Sequence, residues 1–217
     1  PVTLTNRGSR CTQKISNGAK PPIAKRFAVA QSRTVTAPEK ERSMQKSAIL
    51  SDCGAYRYEL RRTWDKRRPI LLWVGLNPST ADQINDDPTS RRIADFSQRW
   101  GYGGYVLANL FAYRSISPKA LTEVADPVGP DNDAHLAQLS KDAKHTICAW
   151  GNHGKRLNRA SAVLPLLATP MALGITKQGQ PLHPLYCPAN RQPNSFRELG
   201  AHAKAVAKGA ATTSTLG

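Results

Sequence analysis

The sequence predicts an α/β fold, a three-layer αβα sandwich built on a mainly parallel four-stranded sheet. Four short apolar runs rich in β-branched and aromatic residues are typical of strands that are buried on both faces. Segments with apolar residues at helical spacing separate these runs. Such alternation is typical of parallel strands joined by crossover helices, which pack on both faces of the sheet.

The first buried strand is predicted over residues 70–76, where a continuous apolar run stops at Asn77 and Pro78. Proline ends the run because it cannot donate a hydrogen bond to a ladder. Residues 55–64 alternate in polarity at a period of about two, which predicts an edge strand with one solvated basic face. The remaining strands are predicted over residues 105–111, 145–150 and 170–173.

Helix signals lie between these strands. The D-P-T run at residues 87–89 has the form of a helix start, with aspartate as N-cap and proline in the first turn, and helical spacing continues to Trp100. A short helix is predicted over residues 118–124 and a longer one ends at about residue 143. A last helix runs to about residue 167, with Pro165 as a disturbance near its end.

The chain is expected to contain one folded domain between two tails. Residues 1–48 mix Lys, Arg, Ser, Thr, Gly and Pro with little periodicity, which predicts a basic, disordered tail. A single α/β domain is expected over residues 53–197, followed by a frayed C-terminal tail over residues 198–217. The first residue is Pro1 rather than methionine, as expected of a fragment or a processed product.

The net charge of +16 is the first indication of function. A polyanionic partner such as nucleic acid or a nucleotide would use this excess through phosphate contacts. The alternative is a basic, soluble surface or a basic tail without a specific role. Residues 1–50 hold ten Lys and Arg against two acidic residues, so half of the excess lies there.

Cysteine spacing and hydropathy exclude several classes. Cys11, Cys53, Cys148 and Cys187 form no C-x-x-C pair and no paired spacing with histidine, so no zinc or iron–sulfur site and no other cofactor is predicted. No apolar run approaches the roughly 20 residues that span a bilayer, and the first residues contain no secretory signal. We therefore expect a cytoplasmic protein with reduced thiols and no membrane partner.

Polar loops follow the predicted buried strands at their carboxyl ends, where open α/β sheets form their sites. If the winding direction changes next to the first buried strand, the loops after the first and third strands separate and leave a crevice. The candidate residues are Asn77, Ser79, Thr80, Asp82 and Asp86 after the first strand, Asn109, Tyr113 and Arg114 after the second, Asn152 and His153 after the third, and His183 beyond the fourth.

The candidate catalytic residues are two polar side chains and two carboxylates. The amide of Asn77 can orient a water or bind a base edge, or it stabilises an Asx-turn ahead of proline. His183, fixed by a following proline, can donate to a leaving group or transfer a proton, or it caps a turn. Asp82 and Asp86 can activate water or hold a divalent cation, whereas Asp87 is better explained as a helix cap. The spacing of a calcium loop is missing, so no metal site is predicted.

The other candidates are predicted to bind substrate. Ser79 and Thr80 lack a nucleophile elbow, so they are expected to bind phosphate or to cap. The loop with Asn152 and His153 offers backbone amides and cations to phosphate, although it lacks Walker A spacing. Tyr113 is suited to stack on a base and Arg114 to contact its phosphate. Alternatively, Tyr113 is an aromatic packed at the edge of the domain and Arg114 is a solvated cation.

Seven motifs occur in order over roughly residues 53–190: G-L-N-P-S-T-A-D (75–82), D-D-P-T (86–89), R-W-G-Y-G-G (99–104), N-L-F-A-Y-R (109–114), D-P-V-G-P (126–130), A-W-G (149–151) and T-K-Q-G-Q-P-L-H-P-L-Y (176–186). Together they resemble a bacterial and phage family catalogued as a domain of unknown function, family 1643. Leu182 departs from this resemblance, because the family is expected to carry arginine immediately before His-Pro. Binding of a phosphate or carboxylate there would be weakened.

The motif order is more distantly similar to the uracil-DNA glycosylase superfamily, which implies a uracil-DNA glycosylase-like sandwich. The G-L-N-P run (75–78) resembles its water-activating loop, and Asn109 falls where a second strand ends in a substrate-contacting asparagine. The resemblance implies that Asn77 positions the attacking water and that His183 stabilises the departing base anion of a flipped nucleotide. Leu185 stands where the glycosylase loop continues as H-P-S, so activity on uracil is not expected.

The leading interpretation is a nucleobase- or nucleotide-binding protein that cleaves an N-glycosidic bond in nucleic acid without a metal. One alternative is a basic nucleic-acid-binding protein that keeps the pocket but has no catalysis. Another is a metal-dependent phosphoesterase that uses Asp82, Asp86 and His183.

Overall fold

The computed structural model of the protein describes residues 44–79 and 84–200 of the 217-residue chain. The tail predictions for residues 1–43 and 201–217 lie outside the described residues. The α-helices of the described part are α1 (Pro88–Arg99), α2 (Asn132–Asp142) and α3 (Arg159–Val163). The strands are β1 (Gln45–Leu50), β2 (Arg57–Thr63), β3 (Ile70–Gly75), β4 (Gly104–Asn109), β5 (Thr146–Cys148), β6 (Pro170–Ala172) and β7 (Asn194–Ser195).

These strands form one mixed sheet in the order β1-β2-β4-β3-β5-β6-β7. Strands β4, β3, β5 and β6 are mutually parallel, whereas β1 and β2 on one side and β7 on the other pair antiparallel. The predicted α/β class is confirmed. The predicted four buried strands are the parallel centre, but the described sheet has seven strands rather than four.

The outermost strands were absent from the sequence prediction. Strand β1 has a mostly exposed side-chain pattern with little apolar alternation, so its strand conformation depends on its pairing with β2. Residues 45–48, which we assigned to the basic tail, belong to this strand. Strand β7 has only two residues. Both outer strands are defined by tertiary pairing, which single-sequence patterns do not carry.

Helices cover both faces of the sheet. Ile93 and Phe96 of α1 pack on one face against a cluster that includes Trp73, which is fully buried. Leu136 of α2 and Val163 of α3 pack on the other face. Truncating a side chain such as Trp73 to alanine typically costs about 3–5 kcal/mol, so these two clusters dominate the stability of the domain.

The winding direction of the chain changes between β3 and β5. The chain leaves β3 toward α1 on one face and leaves β5 toward α3 on the opposite face. Since β3 and β5 are parallel neighbours, this is a topological switch point, at the position that the sequence predicted for a crevice.

The helix predicted up to residue 167 is not continuous. A 3-10 helix (Asn152–Asn158) precedes α3, and another (Leu164–Leu166) follows it. Leu157 and Asn158 have left-handed backbone conformations, with φ of 49° and 54°, and so interrupt the helix. Asparagine tolerates this conformation, whereas leucine at such a position is strained by about 1–3 kcal/mol.

Candidate functional site

Asn77, the second residue after β3, connects two loops at the carboxyl edge of the sheet. Its Nδ2 donates to the carbonyl oxygens of Ser115, at 2.7 Å, and Pro78, at 3.1 Å. The Ser115 backbone N–H also donates to Pro78. Both amide hydrogens of Asn77 are therefore used within the protein, and its Oδ1 is the side-chain atom that can accept a hydrogen bond from a ligand or a water.

Asn109, the last residue of β4, is the register partner of Gly75 on β3. Its side chain lies on the α1 face, like those of Tyr105 and Leu107 four and two positions earlier. Asn109 is 2% exposed, and its Nδ2 has no hydrogen-bond partner among the described residues. A buried donor without a partner costs about 1–3 kcal/mol, so this amide is a strong candidate for contact with a ligand acceptor.

Asp87 is the N-cap of α1, as predicted. One carboxylate oxygen accepts from the Ser90 backbone N–H and the other from the Ser79 hydroxyl, both at 2.7 Å. Burial opposes ionisation of Asp87, but the hydrogen bonds from Ser90 and Ser79 and the charge of Arg57 outweigh it and lower its pKa. Asp87 is therefore an anion at neutral pH, and the Ser79 hydroxyl is oriented by it.

His183 caps a 3-10 helix (Pro184–Tyr186), and its Nδ1 accepts from the Leu185 backbone N–H at 3.4 Å. The neutral imidazole consequently carries its proton on Nε2. Burial lowers the pKa of His183, and the nearby Asp87 carboxylate opposes this effect. At neutral pH the ring is therefore an uncharged donor within electrostatic reach of Asp87.

The segment that carries His183 is attached to α1 and to the loop after β5. Arg92 of α1 donates to the Cys187 carbonyl and lies over the Phe96 ring at 4.7 Å. The Gly151 backbone N–H donates to Pro181 at 3.0 Å. Leu182, at the position where arginine was expected, packs against the apolar cluster beneath α1. The α1 face at the carboxyl edge therefore holds Asn109, Asp87 and His183.

Arg57 belongs to this region and was missed by the sequence analysis. Residue Ile49 of β1 pairs with Glu59 and Leu50 pairs with Arg57, so Tyr58 is an extra, bulged residue on β2. A bulge redirects the neighbouring side chains. Arg57 is 2% exposed, and burial lowers its pKa to about 10 while the charge of Asp87 opposes the shift. Arg57 thus stays cationic at neutral pH. Only the pairing of β1 with β2 reveals the direction in which its side chain points.

Asp86 lies apart from this group, although we predicted a catalytic role. Its Oδ1 pairs with Arg62 at 2.8 Å and its Oδ2 with Lys46 at 2.7 Å. Burial opposes ionisation of Asp86, but these two cations outweigh it and lower its pKa. With both oxygens bound by cations, Asp86 is arranged to stabilise the contact between α1 and the outer strands. It borders a cleft of about 200 Å³ that also contains Tyr105 and Gln98.

The remaining predicted residues occupy different parts of the same edge. Tyr113 packs edge-on against Tyr56 at 6.2 Å, and Arg114 donates to the Gly54 carbonyl at 3.0 Å. Asn152 accepts from the Thr176 hydroxyl at 2.6 Å, which joins the loops after β5 and β6. His153 is exposed beside it. Thr80 and Asp82 lie outside the described residues.

The fold and this site define an α/β domain with a polar, partly unsatisfied cluster at the carboxyl edge of its parallel strands. Residues 57–185 match the family described as "Protein of unknown function (DUF1643)", and the chain belongs to that family. Comparison with the curated proteins and with the solved structures gave no match. Among the described residues, no helix has the length and apolar character needed to cross a membrane.

Proposed function

We propose that this domain binds a nucleobase at the carboxyl edge of its parallel strands and hydrolyses the N-glycosidic bond to that base. One observation carries the proposal: the buried Nδ2 of Asn109, which has no partner among the described residues. Nucleobase carbonyl oxygens are planar acceptors that a fixed amide donor recognises, and enzymes read an extruded base through such edge contacts. Binding of a base would satisfy this donor and offset its burial.

His183 is suited to stabilise the leaving base. When the glycosidic bond breaks, its electron pair leaves with the base and negative charge develops on the base oxygens. A neutral Nε2–H donor, oriented through its Nδ1 contact with Leu185, can receive that charge by hydrogen bonding. The lowered pKa of His183 favours this uncharged form at neutral pH.

Asn77 is suited to orient the attacking water. Its Nδ2 is held by two backbone carbonyls, so its Oδ1 has a fixed direction and can accept a hydrogen bond from water. The water oxygen would bond to the sugar carbon as the base departs, and the proton that the water loses would pass to the departing base anion. The distant similarity of this motif order to the uracil-DNA glycosylase superfamily supports the same assignment.

The two alternatives differ in what the described residues offer. The metal-dependent phosphoesterase would use Asp82, Asp86 and His183, but the two carboxylate oxygens of Asp86 are bound by Lys46 and Arg62. The non-catalytic binding protein would keep the Asn109 donor and lack turnover.

Incubation with single-stranded and duplex oligonucleotides that carry uracil, hypoxanthine or other modified bases tests the proposal. We expect abasic sites with one of these bases, and their loss in Asn109→Ala and His183→Ala variants that unfold like the parent. Asn194→Ala, an exposed asparagine on β7, is the matched control and should retain activity. Binding without abasic sites would favour the non-catalytic alternative, and chelator-sensitive cleavage of phosphoesters would favour the metal enzyme.

A further inference from the structure

The carboxyl rim of the sheet collects most of the exposed apolar side chains of the described residues. We use this name for the loops after the parallel strands that stay at this edge: residues 76–79, 110–117, 149–158 and 173–192. Six large hydrophobic side chains are exposed in the described part. Ile49 and Ile84 lie elsewhere, Ile84 beside β1, where its carbonyl accepts from the Lys46 side chain. Those on the carboxyl rim are Ile116, Leu157, Leu185 and Tyr186.

The carboxyl rim is also strongly basic. Residues 110–117, 149–158 and 173–192 contain five Lys and Arg side chains and no Asp or Glu. The acids after β3, Asp86 and Asp87, are held by cations and hydrogen bonds, as described above. An interleaved set of cations and exposed apolar groups fits a ligand with phosphates and flat apolar faces. The basic residues are Arg114, Lys155, Arg156, Lys177 and Arg191.

An aromatic and a cation of this rim flank the candidate site. The Tyr186 ring is 82% exposed, and its centroid lies 5.7 Å from that of His183. Arg114 is anchored to the Gly54 carbonyl and lies within electrostatic reach of Arg57, which in turn interacts with Asp87. A nucleic-acid strand with one base bound at Asn109 would therefore contact the exposed Tyr186 ring and the Arg114 guanidinium next to the site.

We propose that the carboxyl rim binds single-stranded nucleic acid, with Tyr186 stacking on a base beside the one in the site and Arg114 contacting a phosphate. This inference rests on the proposed function and specifies its substrate as a polymer. Exposed rings stack on splayed bases, and a single strand avoids the cost of unpairing a base, a few kcal/mol. The helices α1 and α2 lie against the sheet, so neither projects as a helix that would enter a major groove.

Binding of the full chain to a fluorescent single-stranded oligonucleotide of ordinary bases, and to its duplex, tests the inference without requiring turnover. Tyr186→Ala should weaken single-strand binding by about fivefold or more, and Tyr186→Phe should retain it. Arg114→Gln should reduce the slope of log K against log salt by about 0.7 for a single strand. Lys66→Gln, an exposed cation in the turn before β3 at the opposite edge, is the matched control.

Equal affinities of the parent and Tyr186→Ala, or a stronger dependence of duplex binding on Tyr186, would overturn the inference. Tyr186-dependent binding to the single strand supports it even where no abasic site forms on any modified base, a result that rejects the proposed hydrolysis alone. Base release from free nucleosides, without Tyr186-dependent strand binding, rejects the single-strand inference alone.

Discussion

Gly75 and Asn109 face each other as register partners on β3 and β4, and a Cβ added at residue 75 would lie 2.8 Å from the Asn109 Oδ1. Real Cβ atoms do not approach an oxygen so closely. Gly75, the glycine of the G-L-N-P run, is therefore required for the Asn109 amide to occupy its observed position. The same short run thus supplies both the space for Asn109 and the side chain of Asn77.

Gly75→Ala is expected to displace the Asn109 side chain and to destabilise the protein by about 1–3 kcal/mol, because the buried Asn109 side chain has little room to move. Urea unfolding measures this cost. In an Asn109→Ala background the same substitution should cost much less, since its collision partner is gone. Equal costs in both backgrounds would show that the two residues do not compete for this space.

Asn109→Leu is expected to raise the free energy of unfolding by about 1–3 kcal/mol while abolishing base excision. The substitution replaces a buried, unpaired amide with an apolar group of similar size, which removes its desolvation cost. Urea unfolding and an abasic-site assay measure the two effects separately. A destabilised Asn109→Leu variant would indicate that the amide is satisfied within the protein.

Asp87→Asn is expected to destabilise the protein at neutral pH and to do so less as the pH falls. Asp87 has a lowered pKa in the folded protein, so its stabilising contribution is fully present above the unfolded value of about 3.9 and disappears as the pH falls through the folded value. Urea unfolding from pH 7 to pH 3 measures the difference. Asp87→Ala should lower the free energy of unfolding by about 0.5–2 kcal/mol over a wider pH range, because it removes the helix cap itself. A pH-independent difference between parent and Asp87→Asn would contradict the assignment.

His183 should determine the acid limb of the pH–rate profile. Its neutral form is the active donor, so kcat/KM should fall as the pH drops through its lowered pKa, below about 6.5. The Asp87 carboxylate opposes the lowering, so Asp87→Asn should move this limb to still lower pH. An NMR titration of the His183 ring checks the shift independently of turnover. A shift toward higher pH would mean that another group controls the limb.

The parallel strands at the centre of the sheet and helix α1 could be predicted from the sequence. The contacts that determine which residues lie at the site could not. Strand β3 and helix α1 are predictable because a continuous apolar run and a D-P N-cap motif specify local structure. The direction of Arg57 depends on the bulge at Tyr58, and that bulge exists only through pairing with β1.

The role of Asp86 depends in the same way on partners far along the chain. Arg62 and Lys46 are 24 and 40 positions away, and no local pattern connects these cations to the carboxylate. Asn109 shows the same limit. That its Nδ2 is buried without a hydrogen-bond partner among the described residues becomes evident only once β3 and β4 are in register.

Asp86→Asn is expected to destabilise the protein by about 1.5–3 kcal/mol and to leave the chemistry of the folded enzyme intact. The Arg62 side chain is only 1% exposed, so its charge loses an ionic partner where water is scarce. Lys46→Gln is the matched control, because the Lys46 side chain is 33% exposed and the loss of such a pair costs about 0–1 kcal/mol. Urea unfolding gives the stabilities, and activity is compared at a temperature where both variants are folded. Loss of activity in folded Asp86→Asn would indicate that this carboxylate takes part in catalysis, and it would favour the phosphoesterase alternative.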